Sequence, residues 1–260
     1  MSIELSGGVV RSDGVTLLDR VDFSAGQGEV VAVIGPNGAG KTTLMRVLAN
    51  EIPASSGRLL IDGETPPQIG REELARRVAV LPQRSVLDFP FRVHEVIGMG
   101  RIPHRTSSFE NRKIVQEVID SLALAPIIDR VYTTLSGGER QRVQIARVIC
   151  QLWDCREGGY FLFDEPTAPL DLAHQVAFLE TARSLAADGA GVLLVIHDIN
   201  LATRFADRIA ILSQGRIVSD GKPVDVVTRE AIESVYGIRV DVIDQASGAP
   251  TVRVLGSRTR

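Results

Sequence analysis

Three short stretches of the chain, residues 28–34, 160–163 and 192–196, are dominated by apolar side chains. Runs this short, rich in Val, Ile, Leu and Phe, predict strands buried on both faces. Residues 17–23, 57–63 and 78–81 carry further strand patterns. Apolar positions recur at helical spacing from Lys41 to about Asn50, and over 110–122, 137–153 and about 172–187. In 137–153, Val143, Ala146, Ile149, Cys150 and Trp153 line one stripe, with Arg140, Arg147 and Gln151 off it. Apolar strands alternating with helices predict an α/β fold around a buried parallel sheet. Residues 208–218 read as a hairpin turning at Gln214 and Gly215, and 238–243 with 251–255 as a second one. Neither an internal repeat nor a low-complexity linker is visible.

Composition narrows the class. The chain has 260 residues, 44% apolar and 23% charged, which fits a globular protein and excludes a disordered, collagen-like or disulfide-framework chain. No apolar run approaches the ~18 residues of a membrane span. The opening residues have neither the basic start nor the apolar stretch of a signal peptide. A net charge of −3 gives no electrostatic case for nucleic acid or an anionic membrane surface. Cys150 and Cys155 read as free thiols of a reducing compartment, with Cys150 on a packed face. Lysine is scarce, at positions 41, 113 and 222 only.

The position of Lys41 carries chemistry. Gly35, Pro36, Asn37, Gly38, Ala39, Gly40, Lys41 and Thr42 fit G-x-x-x-x-G-K-[ST] between a predicted strand and a predicted helix. Glycines let successive backbone N–H groups turn inward as an anion nest, and the helix start adds partial positive charge. Lys41 then reaches the β- and γ-phosphates, and the Thr42 hydroxyl ligates Mg²⁺. The strand at 160–163 runs into Asp164 and Glu165. Central strands of open α/β sheets end at the ligand crevice, which places Asp164 to bind Mg²⁺ through water and Glu165 to act as general base on the attacking water. A second glycine pair, Gly137 and Gly138, follows Ser136 at the start of the long helix. Ser136 and Glu139 form a capping box, but such a box does not require glycines, which cost helix propensity. A second phosphate-facing helix start suggests that two copies share one nucleotide.

In these motifs and their order the chain resembles the ATP-binding subunits of ABC transporters, over nearly its whole length. Residues Gly35 to Thr43 are similar to that family's Walker A loop, Leu135 to Glu139 to its signature, and Tyr160 to Glu165 to its Walker B strand. Gln83 is similar to the glutamine that touches Mg²⁺ and reports to the membrane partner, Asp171 to the D-loop aspartate, and His197 to the switch histidine on the γ-phosphate. The resemblance implies a RecA-like P-loop NTPase core with a mixed sheet (1–87 and 156–221, with an N-terminal antiparallel part). It also implies an inserted α-helical subdomain (88–155) and a helix-and-hairpin extension (222–260). It implies ATP and Mg²⁺ as cofactors and a head-to-tail pair of copies, with ATP between Lys41 of one and Ser136, Gly137 and Gly138 of the other. The pair is expected to drive a permease dimer from the cytoplasmic face of the membrane, served indirectly by an extracytoplasmic binding protein, with no nucleic acid involved.

Residues 89–104, the 148–154 run with a polar insert before Tyr160, and 170–175 resemble the heme (hemin) importer ATPases more narrowly. Ferric-siderophore or vitamin B12 import is the alternative cargo. A soluble ABC ATPase of repair or translation is the remote alternative, but no coiled-coil insert separates Lys41 from Ser136 and only one cassette is present. Residues 84–105 are the expected seat for the permease, and His94, His104 and His174 are expected at the surface or in packing. Two features depart from the family pattern. No aromatic residue precedes Phe23, so Val10 or Arg11 falls near the place of the usual adenine-stacking ring, which predicts weak discrimination between ATP and GTP. Pro169 in the D-loop favours extended geometry at Ala168.

Overall fold

A computed structural model describes residues 1–84, 87–243 and 248–257. The chain opens with β1 (Ser2–Ser12) and β2 (Val15–Gly26), an antiparallel hairpin turning at Asp13 and Gly14. Next come β3 (Val30–Ile34), α1 (Lys41–Leu48) and β4 (Ser56–Ile61), which pairs antiparallel with β1. Two short helices, α2 (Pro66–Ile69) and α3 (Arg71–Arg77), lead to β5 (Val78–Leu81). A helical region holds α4 (Val93–Gly98), α5 (Ser108–Ser121) and α6 (Gly137–Gln151). The chain then alternates through β6 (Tyr160–Asp164), α7 (Leu172–Ala187), β7 (Gly191–Val195) and α8 (Ile199–Phe205). It closes with β8 (Arg208–Ser213), β9 (Arg216–Gly221), α9 (Pro223–Val226), α10 (Arg229–Tyr236), β10 (Ile238–Ile243) and β11 (Thr251–Ser257).

The main sheet has the order β5-β6-β7-β3-β8-β9, parallel except for the β8–β9 hairpin. Its strands look continuously apolar because each face meets a different core. Val30, Ala32 and Ile34 of β3, Phe161 and Phe163 of β6, and Val192 and Leu194 of β7 pack toward α6, α7 and α8. The intervening Val31, Val33, Leu162, Leu193 and Val195 pack toward α1 and the three-stranded sheet β2-β1-β4. The period of two is thus intact, with both sides buried. Phe163 meets the Phe178 ring of α7 edge-on at 5.1 Å and 79°, a pairing that adds ~1 kcal/mol to the area it buries.

The helical region has its own core, in which Val93, Val96 and Ile97 of α4 and Val118 and Ile119 of α5 meet Val143, Ala146 and Cys150 of α6. The single stripe expected on α6 is in fact two. Ile145, Val148 and Ile149 face the main sheet while Val143, Ala146 and Cys150 face the helices, so α6 is wedged between them. Burial pushes the Cys150 thiol up to about 12, the chemistry of an inert thiol. Among the described residues no helix is long and apolar enough to cross a membrane.

Candidate active site

The parallel strands β3, β6 and β7 all deliver their C-terminal ends to one edge of the sheet. The phosphate loop leaves β3 there. Gly35 has φ +150°, and a Cβ on it would lie 2.0 Å from the Leu212 carbonyl oxygen, so β8 closes directly on the loop. Gly40, at φ 106°, starts α1. Such backbone positions suit glycine alone. Lys41 is 6% exposed and donates from Nζ to the carbonyls of Gly35 (2.8 Å) and Pro36 (2.9 Å), which curls the loop around its own cation. Burial pulls the Lys41 ammonium below its ordinary pKa, against the attraction of Glu165 and Asp164.

A cavity of about 540 Å³ opens over this loop. Asn37, Gly38, Gly40, Lys41, Thr42 and Thr43 line one side of it, and Gln83, Glu165 and His197 the other. Glu165 sits just past β6 at φ 54°, the left-handed region, with its N–H donating to the Val195 carbonyl at 3.2 Å. His197, just past β7, donates from Nε2 to Glu165 Oε1 at 2.7 Å. After it Asp198 caps α8, accepting from the N–H groups of Asn200 (2.8 Å) and Leu201 (3.1 Å), so the histidine is held between a strand end and a capped helix.

Thr42, Gln83 and Asp164, the three residues expected to serve a metal, line one further cavity of about 210 Å³. Burial raises the pKa of Asp164, opposed by a hydrogen bond from the Thr42 hydroxyl, while Glu165 nearby raises it further. Asp164 is 3% exposed, and its Oδ1 is buried with no hydrogen-bond partner. A desolvated carboxylate oxygen facing a hydroxyl is the donor chemistry of a hard cation such as Mg²⁺. The residues present therefore fit that ion.

The other motif residues lie elsewhere. Ser136 caps α6, its Oγ accepting from the Glu139 N–H at 3.3 Å while Glu139 accepts from the Ser136 N–H at 2.8 Å. Ser136, Gly137 and Gly138 are not among the residues lining the cavity over the phosphate loop. Asp171 is also outside it and caps α7, accepting from the backbone N–H of His174 (2.9 Å) and from its ring Nδ1 (2.8 Å). Pro36 and Ala39 shape the loop from behind, with Ala39 buried in the core.

One expectation is corrected. Val10 is packed in the core opposite Leu18, and Arg11 pairs with Thr16. The residue of this hairpin that lines the phosphate cavity is Leu17, where β2 crosses the loop so closely that a Cβ on Gly40 would lie 2.8 Å from the Leu17 carbonyl oxygen. Nothing in the sequence marks Leu17 apart from its place after the Asp13-Gly14 turn. The D-loop makes two turn hydrogen bonds, Ala168 N–H donating to Glu165 O (3.4 Å) and Leu170 N–H to Thr167 O (3.1 Å). Gln175 donates to the Thr167 (3.0 Å) and Leu170 (3.1 Å) carbonyls and Gln141 to the Pro166 carbonyl (3.0 Å). These two glutamines, which no motif marks, pin the turn and tie α6 to the segment that carries Glu165.

Residues 18–168 match the model of the ABC transporter family. The chain belongs to that family. Among its relatives, the hemin import ATP-binding protein HmuV of Pseudomonas putida is 48% identical over 230 residues, 88% of this chain and 89% of the relative. HmuV of Gloeobacter violaceus is 44% identical over 260 residues, 98% of this chain and 94% of the relative. Among solved structures, the dimeric bacterial ABC transporter cassette MJ0796 is 25% identical and superposes with a TM-score of 0.75 over 85% of this chain and 98% of its own. The fold is that of an ABC ATPase: an α/β P-loop NTPase with a mixed sheet.

Proposed function

We propose that this chain is the ATP-hydrolysing motor of a heme importer, working as a head-to-tail pair beneath a permease dimer on the cytoplasmic face of the membrane. The motor reading rests above all on one observation: loop, base and switch histidine share one cavity, whereas the Ser136 helix start lies outside it. A phosphate-facing helix start with no phosphate site in its own chain is explained by a second copy that brings one. The dimeric cassette among the solved structures supports that pairing. The near-full-length likeness to hemin import proteins supports heme as the cargo.

In this reading the backbone N–H groups of 35–43 and Lys41 bind the β- and γ-phosphates. Thr42, Gln83 and Asp164 would hold Mg²⁺, which supplies charge neutralisation on the phosphates. Glu165 takes a proton from the attacking water. His197, bonded to Glu165 at 2.7 Å, orients that carboxylate and faces the γ-phosphate. Ser136 and Gly138 of the second copy close the site, and Asp171 stands at the seam between copies. Leu17 offers the base an apolar side chain and no ring, so ATP and GTP are expected to be turned over with similar kcat/KM. Residues 84–105 remain the proposed seat for the permease; Ser85 and Val86 within that stretch lie outside the described residues.

The test is growth of a deletion strain with hemin or a ferric siderophore as sole iron source, complemented by wild type or Glu165→Gln. Loss of hemin growth alone, rescued by wild type alone, supports the proposal. Loss of siderophore growth instead moves the cargo and leaves the motor.

A further inference from the structure

The polar link between α6 and β6 takes no part in the chemistry above, yet it assembles three different donors. His104, Asp154 and Cys155 each bring one ligand atom within 4.8 Å of the others. We propose that these three side chains form a binding site for a borderline-soft divalent cation of the Zn²⁺ class. A mixed N/O/S set suits that class and disfavours Mg²⁺ and Ca²⁺, which take oxygen donors. Three such donors around a tetrahedral ion stand ~3.3–3.6 Å apart, so closure on the ion asks for a shift of ~1 Å.

The donors are already oriented. His104 Nε2 lies 2.6 Å from the Gln151 carbonyl. A carbonyl only accepts, so Nε2 carries the proton and Nδ1 keeps its lone pair for a metal. This is the arrangement by which backbone carbonyls fix the tautomer of metal-ligating histidines. Gln151 is anchored in turn, donating to the carbonyls of Ala75 (2.7 Å) and Val78 (3.1 Å). Asp154 is gripped by both arms of the buried Arg101 at 2.7 and 2.9 Å. Arg101 also donates to the Cys150 carbonyl and to Asn111 Oδ1, each at 3.1 Å. The Cys155 thiol points at the Arg76 carbonyl at 3.6 Å. All three donors face a cavity of about 580 Å³ that Glu73, Glu157, Arg76 and Arg77 also line, with Arg77 paired to Glu64 and Glu73, so an ion reaches them from solvent.

Binding forms a sulfur–metal bond as the thiol proton leaves to solvent. The thiolate supplies one negative charge, the Asp154 carboxylate is shared between the ion and Arg101, and water completes the fourth position. The ion joins the stretch that follows α4 to the link that leaves α6.

Co²⁺ titrated into the full, reduced chain tests this, because a thiolate ligand gives a ligand-to-metal charge-transfer band in the near ultraviolet. The phosphate and metal cavities hold no cysteine, so no thiolate there gives that band. The expected result is one equivalent of band-forming Co²⁺, displaced by Zn²⁺. Cys155→Ser abolishes the band and Cys150→Ser retains it, since Cys150 is buried. His104→Ala weakens Co²⁺ binding at least tenfold. No band in wild type, a band that survives Cys155→Ser, or unchanged affinity in His104→Ala overturns the proposal. Variant Tm values within 2 °C of wild type, as ~0.5–1 kcal/mol in a chain of this size, separate loss of the site from loss of fold.

Discussion

Glu165 holds a backbone conformation that its own side chain disfavours. At φ 54° it sits in the left-handed region, where a residue with a Cβ is strained by ~1–2 kcal/mol. Such strain persists at functional sites because the surroundings over-determine it. Here the N–H is fixed to the Val195 carbonyl and the carboxylate to His197. Two substitutions separate the side chain from the strain. Glu165→Ala removes the carboxylate and keeps the Cβ, whereas Glu165→Gly removes both. In ordinary helix or strand positions Gly is ~0.5–1 kcal/mol worse than Ala. At this position the order inverts, and Glu165→Gly is expected to be ~1 kcal/mol more stable than Glu165→Ala. In a chain of this size that is ~2–4 °C in Tm. Both variants lose the base, so ATP hydrolysis falls ~10²–10⁴-fold in each. Calorimetry with phosphate-release kinetics on the same samples reads both quantities. An Ala variant as stable as the Gly variant refutes the strain, and wild-type turnover in either refutes the base.

Asp164 is buried with an unpartnered oxygen, so Asp164→Asn is expected to stabilise the fold by ~1 kcal/mol, a rise of ~2–4 °C in Tm, while abolishing Mg²⁺-dependent hydrolysis; a lower Tm would show that the charge is satisfied. Asp154→Ala strips the buried Arg101 of its bidentate partner and is expected to cost ~3 kcal/mol in a urea titration, with less than 1 kcal/mol contradicting the pairing. Backbone and hydroxyl hydrogen bonds from Ser107 and Ser136 hold Glu110 and Glu139 below the ordinary carboxylate range. Their stabilisation is therefore present above about pH 4.5 and lost as pH falls through the lower folded values, while Asp164 and Asp220, raised by burial, work in the opposite sense. Tm is expected to be flat from pH 7 to 5 and to drop below, less steeply in a Ser107→Ala, Ser136→Ala double variant, and an equal drop would deny the caps that role.

The parts of the molecule set by local rules were legible in the sequence. The strand runs at 30–34, 160–164 and 191–195, the helix at 172–187 and the hairpin at Gln214-Gly215 follow from periodicity and turn chemistry. The glycine-rich loop between β3 and α1 followed from spacing, since Gly35 and Gly40 answer to backbone geometry. What was not legible depends on contacts distant in sequence. The two-sided burial of α6 needs both the sheet and α4 to be in place. Leu17 reaches the phosphate cavity because β2 crosses the loop at Gly40, a contact that no local pattern announces. The Gln141 and Gln175 side chains reach the D-loop from two helices, contacts that no local pattern announces. The cluster at His104, Asp154 and Cys155 joins residues about fifty positions apart and carries no motif.

The pairing of copies is the claim on which the motor depends, and the mass of the Glu165→Gln chain in solution tests it most directly. Without the base, ATP binds and is not consumed, so light scattering with Mg-ATP is expected to report a dimer, against a monomer without nucleotide. Adding Ser136→Arg, a substitution at an exposed helix start outside the chain's own phosphate cavity, is expected to return the mass to that of a monomer. A dimer that forms regardless of Ser136, or a monomer that persists with saturating ATP, contradicts the shared site.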